Sequence, residues 1–156
     1  MIPLEFKISI EAPVASVYEF MLGLKSKTTY EQWTSVFNPT STFEGSWDQG
    51  SKILFLGVDE QGERGGMVSR IVENQRNQLV SIQHYGLLKG SEEITEGPEV
   101  AQWATGIEQY TFEEYEGTTT LTVAMDTAEA FEGYMNEHYP KALAKLKMLC
   151  EVNENK

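Results

Sequence analysis

The stretch TAEAFEGYMNEHYPKALAKLKMLCE, residues 127–151, has the spacing of one long amphipathic helix. Phe131, Met135, His138, Ala142, Leu146 and Leu149 recur at three- and four-residue intervals and form a stripe, which Tyr134, Tyr139 and Leu143 widen. Asp126 or Thr127 is placed to cap its start. Glu129 and Glu132 fall in its first turns and Lys141, Lys145 and Lys147 in its second half, so the charges oppose the helix macrodipole. At the helical rise, a segment of this length spans roughly 35 Å, about the width of a small domain. It needs a long apolar partner. Pro140 removes a backbone hydrogen bond and crowds the carbonyl of Asn136, which predicts a bend there. The first part, with Phe131, Tyr134, Met135 and His138, is then the more mobile, and the second part is closed core.

Nearly everything upstream has the period of a strand. Leu4, Phe6, Ile8 and Ile10 alternate with Glu5, Lys7 and Ser9. Pro13 opens a helix through Val14, Val17, Tyr18, Met21 and Leu22, and a second short helix covers Lys25 to Gln32. Trp33 to Pro39 reads as an irregular connection. A meander follows, with strands at Thr42–Trp47, Lys52–Val58, Gly66–Glu73, Leu79–Leu87, Trp103–Tyr115 and Thr118–Met125. The acidic, glycine-bearing stretch from Gly90 to Gly97 reads as the longest loop. Short connections make the strands antiparallel neighbours, and only the last helix is long enough to cover their apolar face. On that face, period two groups Val80, Ile82 and His84, then Glu108, Tyr110 and Phe112, then Leu121, Val123 and Met125.

The 156 residues, 40% of them hydrophobic, fit a single domain with a substantial core, and no linker, repeat or low-complexity tract divides them. A formal net charge of −12 argues against nucleic acid and anionic membrane surfaces as partners. The lone Cys150 excludes an intramolecular disulfide and, with no signal-peptide pattern at the N-terminus, points to a cytoplasmic protein. The longest apolar run, Ile53 to Val58, is too short to cross a bilayer.

The order of these pieces resembles the helix-grip (SRPBCC) superfamily, which includes START lipid-transfer domains, birch-pollen-type allergens, polyketide cyclases and homologues of the heat-shock ATPase activator. The last branch is the nearest in appearance. The resemblance is carried by Ile10-Glu11-Ala12-Pro13 with Val17-Tyr18, Trp33, Phe43-Glu44-Gly45 and Gly50-Ser51-Lys52. It continues through Gly66-Met67-Val68 with Ile71, His84 and Gly86, Trp103, and Glu108, Tyr110 and Phe112. Gly117 to Leu121 with Val123, then Pro140 to Leu143 and Leu146-Lys147, complete it. It implies an α+β helix-grip fold over residues 1–156, a seven-stranded antiparallel sheet around the C-terminal helix, with two short helices between the first two strands. It also implies a cavity between sheet and helix that takes apolar molecules. A chaperone ATPase is the protein partner this branch implies, and a monomer or weak homodimer is expected.

The ligand-binding candidates are Trp33, Phe37, Phe55, Ile82, His84, Trp103, Glu108, Tyr110, Met125, Phe131, Tyr134, Met135 and His138, since apolar pockets combine aromatic walls with a few polar handles. Glu108, His84 and His138 are the catalytic candidates, because a desolvated carboxyl beside an imidazole has its pKa displaced toward neutrality. Glu108 on an apolar face costs several kcal/mol, roughly, unless paired with His84, Tyr110, Arg70 or a ligand, or protonated. The trio lacks a metal-ligand motif, and no phosphate loop, nucleophile elbow or zinc signature is present, so neither metal nor cofactor is expected. Binding of a small hydrophobic or amphipathic molecule is the favoured function, ahead of a cyclase- or hydrolase-like enzyme or a chaperone-ATPase-binding domain.

Overall fold

In the computed structural model, which describes residues 1–101 and 106–155, strand β1 (Ile2–Ile10) is followed by helices α1 (Val14–Leu22) and α2 (Lys27–Thr34). A meander then runs through β2 (Thr42–Gly45), β3 (Lys52–Val58), β4 (Arg64–Gln75) and β5 (Leu79–Lys89). After β6 (Glu92–Ile94) and the single turn α3 (Pro98–Ala101) come β7 (Ile107–Tyr115), β8 (Thr118–Thr127) and α4 (Glu132–Glu154). The sheet is antiparallel, ordered β1-β8-β7-β5-β4-β3-β2, with β6 paired to the far end of β5. The fold is the expected α+β helix-grip architecture, with eight strands among the described residues instead of seven. The additional strand lies in the stretch read as a loop, where Glu92, Glu93 and Ile94 pair back onto Lys89, Leu88 and Leu87. A segment with one apolar residue has no alternation to reveal it. Trp103 lies outside the described residues.

Period two was a sound guide to the sheet's faces. Val80, Ile82, Tyr110, Phe112, Leu121, Val123 and Met125 are buried, and alternate positions on β1 are exposed. The meander places β4, β5, β7 and β8 at the centre of the sheet, and α4 packs mainly against β1, α2 and α1.

Helix α4 departs from the sequence reading in three ways. Its start is not capped by Asp126 or Thr127, because β8 carries its alternation through to Thr127, which pairs with Ile2. A turn of 3-10 helix, Glu129–Phe131, makes the transition instead. Second, α4 runs without interruption through Pro140. Pro140 and Asn136 are both exposed, so the carbonyl freed by the proline lies on the hydrated side of the helix. Third, the buried face is Tyr139, Ala142, Leu143, Leu146 and Cys150, which puts Tyr139 in the line where His138 was expected.

Burial along α4 is nonetheless unequal, as the proline argument expected. Tyr134 is 40% exposed, whereas Ala142 and Leu146 are 0% exposed. The C-terminal half is also tied to β1 by polar contacts: Lys147 Nζ donates to Ser9 O at 2.6 Å, and Glu11 N donates to Glu151 Oε2 at 2.9 Å. Among the described residues no helix is long and apolar enough to cross a membrane.

Candidate functional site

A cavity of about 300 Å3 lies between the sheet and the N-terminal part of α4. Its volume is at the lower end of the roughly 300–1,000 Å3 range of small-molecule sites. The walls come from four regions. Tyr30, Trp33 and Phe37 come from α2 and its continuation, Phe55 and Met67 from β3 and β4, His84, Glu108, Tyr110 and Met125 from the central strands, and Phe131, Tyr134, Met135 and Tyr139 from the turn and helix that close it. The sequence-derived set is therefore largely assembled in one place.

Two of its members are elsewhere. Ile82 is 0% exposed and sits in closed core, between Ile71 on β4 and Glu108 on β7. His138 is turned along its own helix: Nδ1–H donates to the Tyr134 carbonyl at 2.9 Å, and the ring stacks on Tyr134 with centroids 4.1 Å apart. At 100° per residue, the helix that aims Tyr139 at the sheet carries His138 to the flank. His138 therefore has no part in the site's polar cluster.

That cluster is centred on Glu108, whose side chain is 17% exposed, like that of His84. Glu108 Oε1 meets His84 Nε2 at 2.9 Å, and Glu108 Oε2 accepts a short hydrogen bond from the Tyr139 hydroxyl. The Tyr110 hydroxyl also reaches Glu108 and Tyr139. On the other edge of the imidazole, His84 Nδ1 lies 2.6 Å from Ser69 Oγ. Strand pairing sets this arrangement, since Ser69 and His84 are directly opposite across β4 and β5. A bulge between Val68 and Ser69 leaves Tyr85 without a partner in that register, which keeps His84 facing inward. Arg70, a partner considered for Glu108, is exposed and lies over the Tyr85 ring instead, 5.2 Å from its centroid.

The electrostatics reverse one expectation. Burial pushes the Glu108 carboxyl up, but the hydrogen bond and electrostatic pull of His84, with hydrogen bonds from Tyr139 and Tyr110, outweigh it. The net shift is downward from 4.5, not toward neutrality. Burial first, and then the Glu108 charge, push the Tyr30, Tyr110 and Tyr139 phenols upward, so all three stay protonated donors at neutral pH. Because the Glu108 value is lower in the folded state, the network stabilises the fold above the ordinary carboxyl range. That stabilisation is lost as pH falls through the folded value. Glu108→Gln is accordingly expected to flatten the dependence of urea unfolding free energy on pH below about 4.5. Identical slopes for the two proteins would contradict it.

Ser69, His84 and Glu108 have the composition of a hydrolytic relay but not its access. Ser69 is 0% exposed and does not line the cavity, so its hydroxyl orients the imidazole and has no route to a substrate carbonyl. Several residues of the site were missed in the sequence, Met67 on the cavity wall among them. Tyr139 and Tyr30 line the cavity, Ser41 hydrogen-bonds Tyr30 at its edge, and Ser69 positions His84. A signal existed for Ser69, a polar residue between Met67 and Ile71 on an otherwise apolar face. A wider groove of about 1000 Å3 runs outside, over Gly57, Gly65 and Gly66; it shares Ser41 and Phe55 with the cavity but none of the Glu108 cluster.

No family model matches the sequence, and no curated protein matches it. Solved structures do. The Aha1 dimer from Colwellia psychrerythraea superposes with a TM-score of 0.67 at 20% identity, over 97% of this chain and 98% of that one. The protein NE0264 from Nitrosomonas europaea gives 0.70 at 14% identity, over 99% and 97%. The di-domain aromatase/cyclase StfQ of the steffimycin biosynthetic pathway gives 0.66 at 13% identity, over 97% of this chain and 46% of that one. The chain thus has a helix-grip fold, with a polar cluster at the wall of an aromatic-lined cavity. At these identities the likeness extends to the fold alone.

Proposed function

We propose that this protein binds a small hydrophobic or amphipathic molecule in the cavity beneath the N-terminal part of α4. The observation that carries the reading is an aromatic-walled cavity with one hydrogen-bonded carboxylate, Glu108, at its wall. Apolar surroundings supply affinity, and a single fixed polar group supplies orientation. The same helix-grip scaffold in an aromatase/cyclase is compatible with a cavity that handles apolar molecules. Catalysis is the weaker reading, because Glu108 is held below the range in which a general acid works at neutral pH and the adjacent hydroxyl is sealed.

Such a ligand stabilises the folded state by mass action. At a concentration one hundred times its Kd, the gain is about 2.7 kcal/mol, or about 5–10 °C in melting temperature for a chain of this length. Small aromatic or aliphatic amphiphiles are expected to give saturable shifts of that order in differential scanning fluorimetry. If every apolar compound small enough for the cavity leaves the melting temperature unchanged, the proposal fails.

A further inference from the structure

The hydrogen-bond pattern around Glu108 sets the charge of the cavity. Ser69 is fully buried, and among the described residues its hydroxyl has one hydrogen-bond partner, His84 Nδ1. The Glu108 carboxylate accepts from His84 Nε2–H at 2.9 Å. Glu108 is met on its two oxygens by donors from His84 and Tyr139, with Tyr110 alongside, a set that only an ionised carboxylate satisfies. Among the described residues no lysine or arginine pairs with it. The cavity wall therefore holds a buried, hydrogen-bonded carboxylate that is paired, among the described residues, with the His84 imidazole and not with a lysine or arginine.

Three further observations concern the ligand group that such a carboxylate would take. A carboxylate accepts about four hydrogen bonds, and the protein donors leave capacity for one more. Aromatic faces surround the same space: Phe55 lies 5.8 Å from the His84 ring, Phe37 lies 5.1 Å from Tyr139, and Trp33 and Tyr30 complete that side. Such faces attract a desolvated cation through the ring quadrupole. The net charge of −12 also raises the local concentration of cations and lowers that of anions.

Building on the cavity-binding reading above, we infer that the ligand is an apolar organic amine, its ammonium paired with Glu108 and its hydrocarbon or aromatic body filling the cavity. An alcohol of the same shape gains the hydrogen bond without the charge. A carboxylic acid of the same shape brings a second anion against Glu108.

The test is a calorimetric comparison of phenylbutylamine, phenylbutanol and phenylbutyrate binding to the intact wild-type protein at pH 7. The amine is expected to bind about ten-fold or more tighter than the alcohol, and the acid weakest. Glu108→Gln should abolish the preference for the amine, bringing amine and alcohol affinities within about two-fold of each other. The wild-type series is decisive even if that variant does not fold. Equal affinities, or tighter binding of the alcohol or acid, would overturn the charge assignment and leave the cavity reading standing. Absence of binding by all three would overturn both.

Discussion

Trp33→Ala is expected to remove about 3–5 kcal/mol of stability, the range for truncating a large aromatic in closed core. Trp33 lies in the last turn of α2, not in the irregular connection read from the sequence, and is 1% exposed. Its indole Nε1–H donates to the carbonyl of Met21 at 2.9 Å. That carbonyl belongs to the last turn of α1, where helix geometry provides no internal donor for it. One side chain thus closes the end of α1, packs edge-on against Tyr30 at 5.7 Å, and forms a wall of the cavity. Trp33→Phe separates these roles. It retains most of the ring area and loses the cap, for a cost of about 1–3 kcal/mol. Urea unfolding of the two variants measures both quantities. A loss below about 1 kcal/mol for Trp33→Ala would mean that α2 is not anchored through this residue.

Gly66→Ala is the second large effect, and its neighbour is the control. Gly66 has φ +154°, and a Cβ there would sit 2.0 Å from the Phe55 carbonyl oxygen and 2.8 Å from Leu56 Cα. Both obstacles are backbone of β3, the strand directly paired with it. Relief requires β3 and β4 to separate, at a cost of about 2–5 kcal/mol from backbone strain and overpacking combined. Gly65→Ala meets only the Leu88 carbonyl, at 3.6 Å, and is expected to change stability by about 0.5 kcal/mol at most. β3 carries Phe55 and β4 carries Met67, so the Gly66 variant should also disturb the cavity wall. Equal stabilities for the two variants, measured by urea unfolding, would refute the close approach of these strands.

The architecture was legible because its signals are local. Alternation along β5, β7 and β8 identifies the inward face one strand at a time, and the length of α4 is written in its own periodicity. The site was legible in part for the same reason, since Glu108 and His84 interrupt apolar faces. What escaped depends on contacts between distant segments. Residues 138 and 139 differ by 100° on the helix, and only packing against β1 and β7 decides that Tyr139 faces Glu108 while His138 turns to Tyr134. The direction of the Glu108 shift follows from that choice, because the Tyr139 hydroxyl is among the donors that lower it. Tyr30 and Ser41 enter the site through the folding of α2 onto β3, which no local pattern records. β6 exists because Gly90 turns the chain back onto β5, not because its own residues prefer a strand.

The central claim is that a small molecule occupies the space beneath the N-terminal part of α4, and the methionines provide its most direct test. Met67, Met125 and Met135 line the cavity from sheet and helix, with the exposed Met1 also against it, while Met21 is sealed in core and Met148 is 56% exposed on the outer side of α4. With carbon-13 in the methionine methyl groups, NMR titration with phenylbutylamine reads each position separately. The expected result is saturable, one-to-one shifts of Met67, Met125 and Met135, with Met21 and Met148 unmoved. Shifts confined to Met148, or no shift at any of the three cavity methionines, would contradict the account.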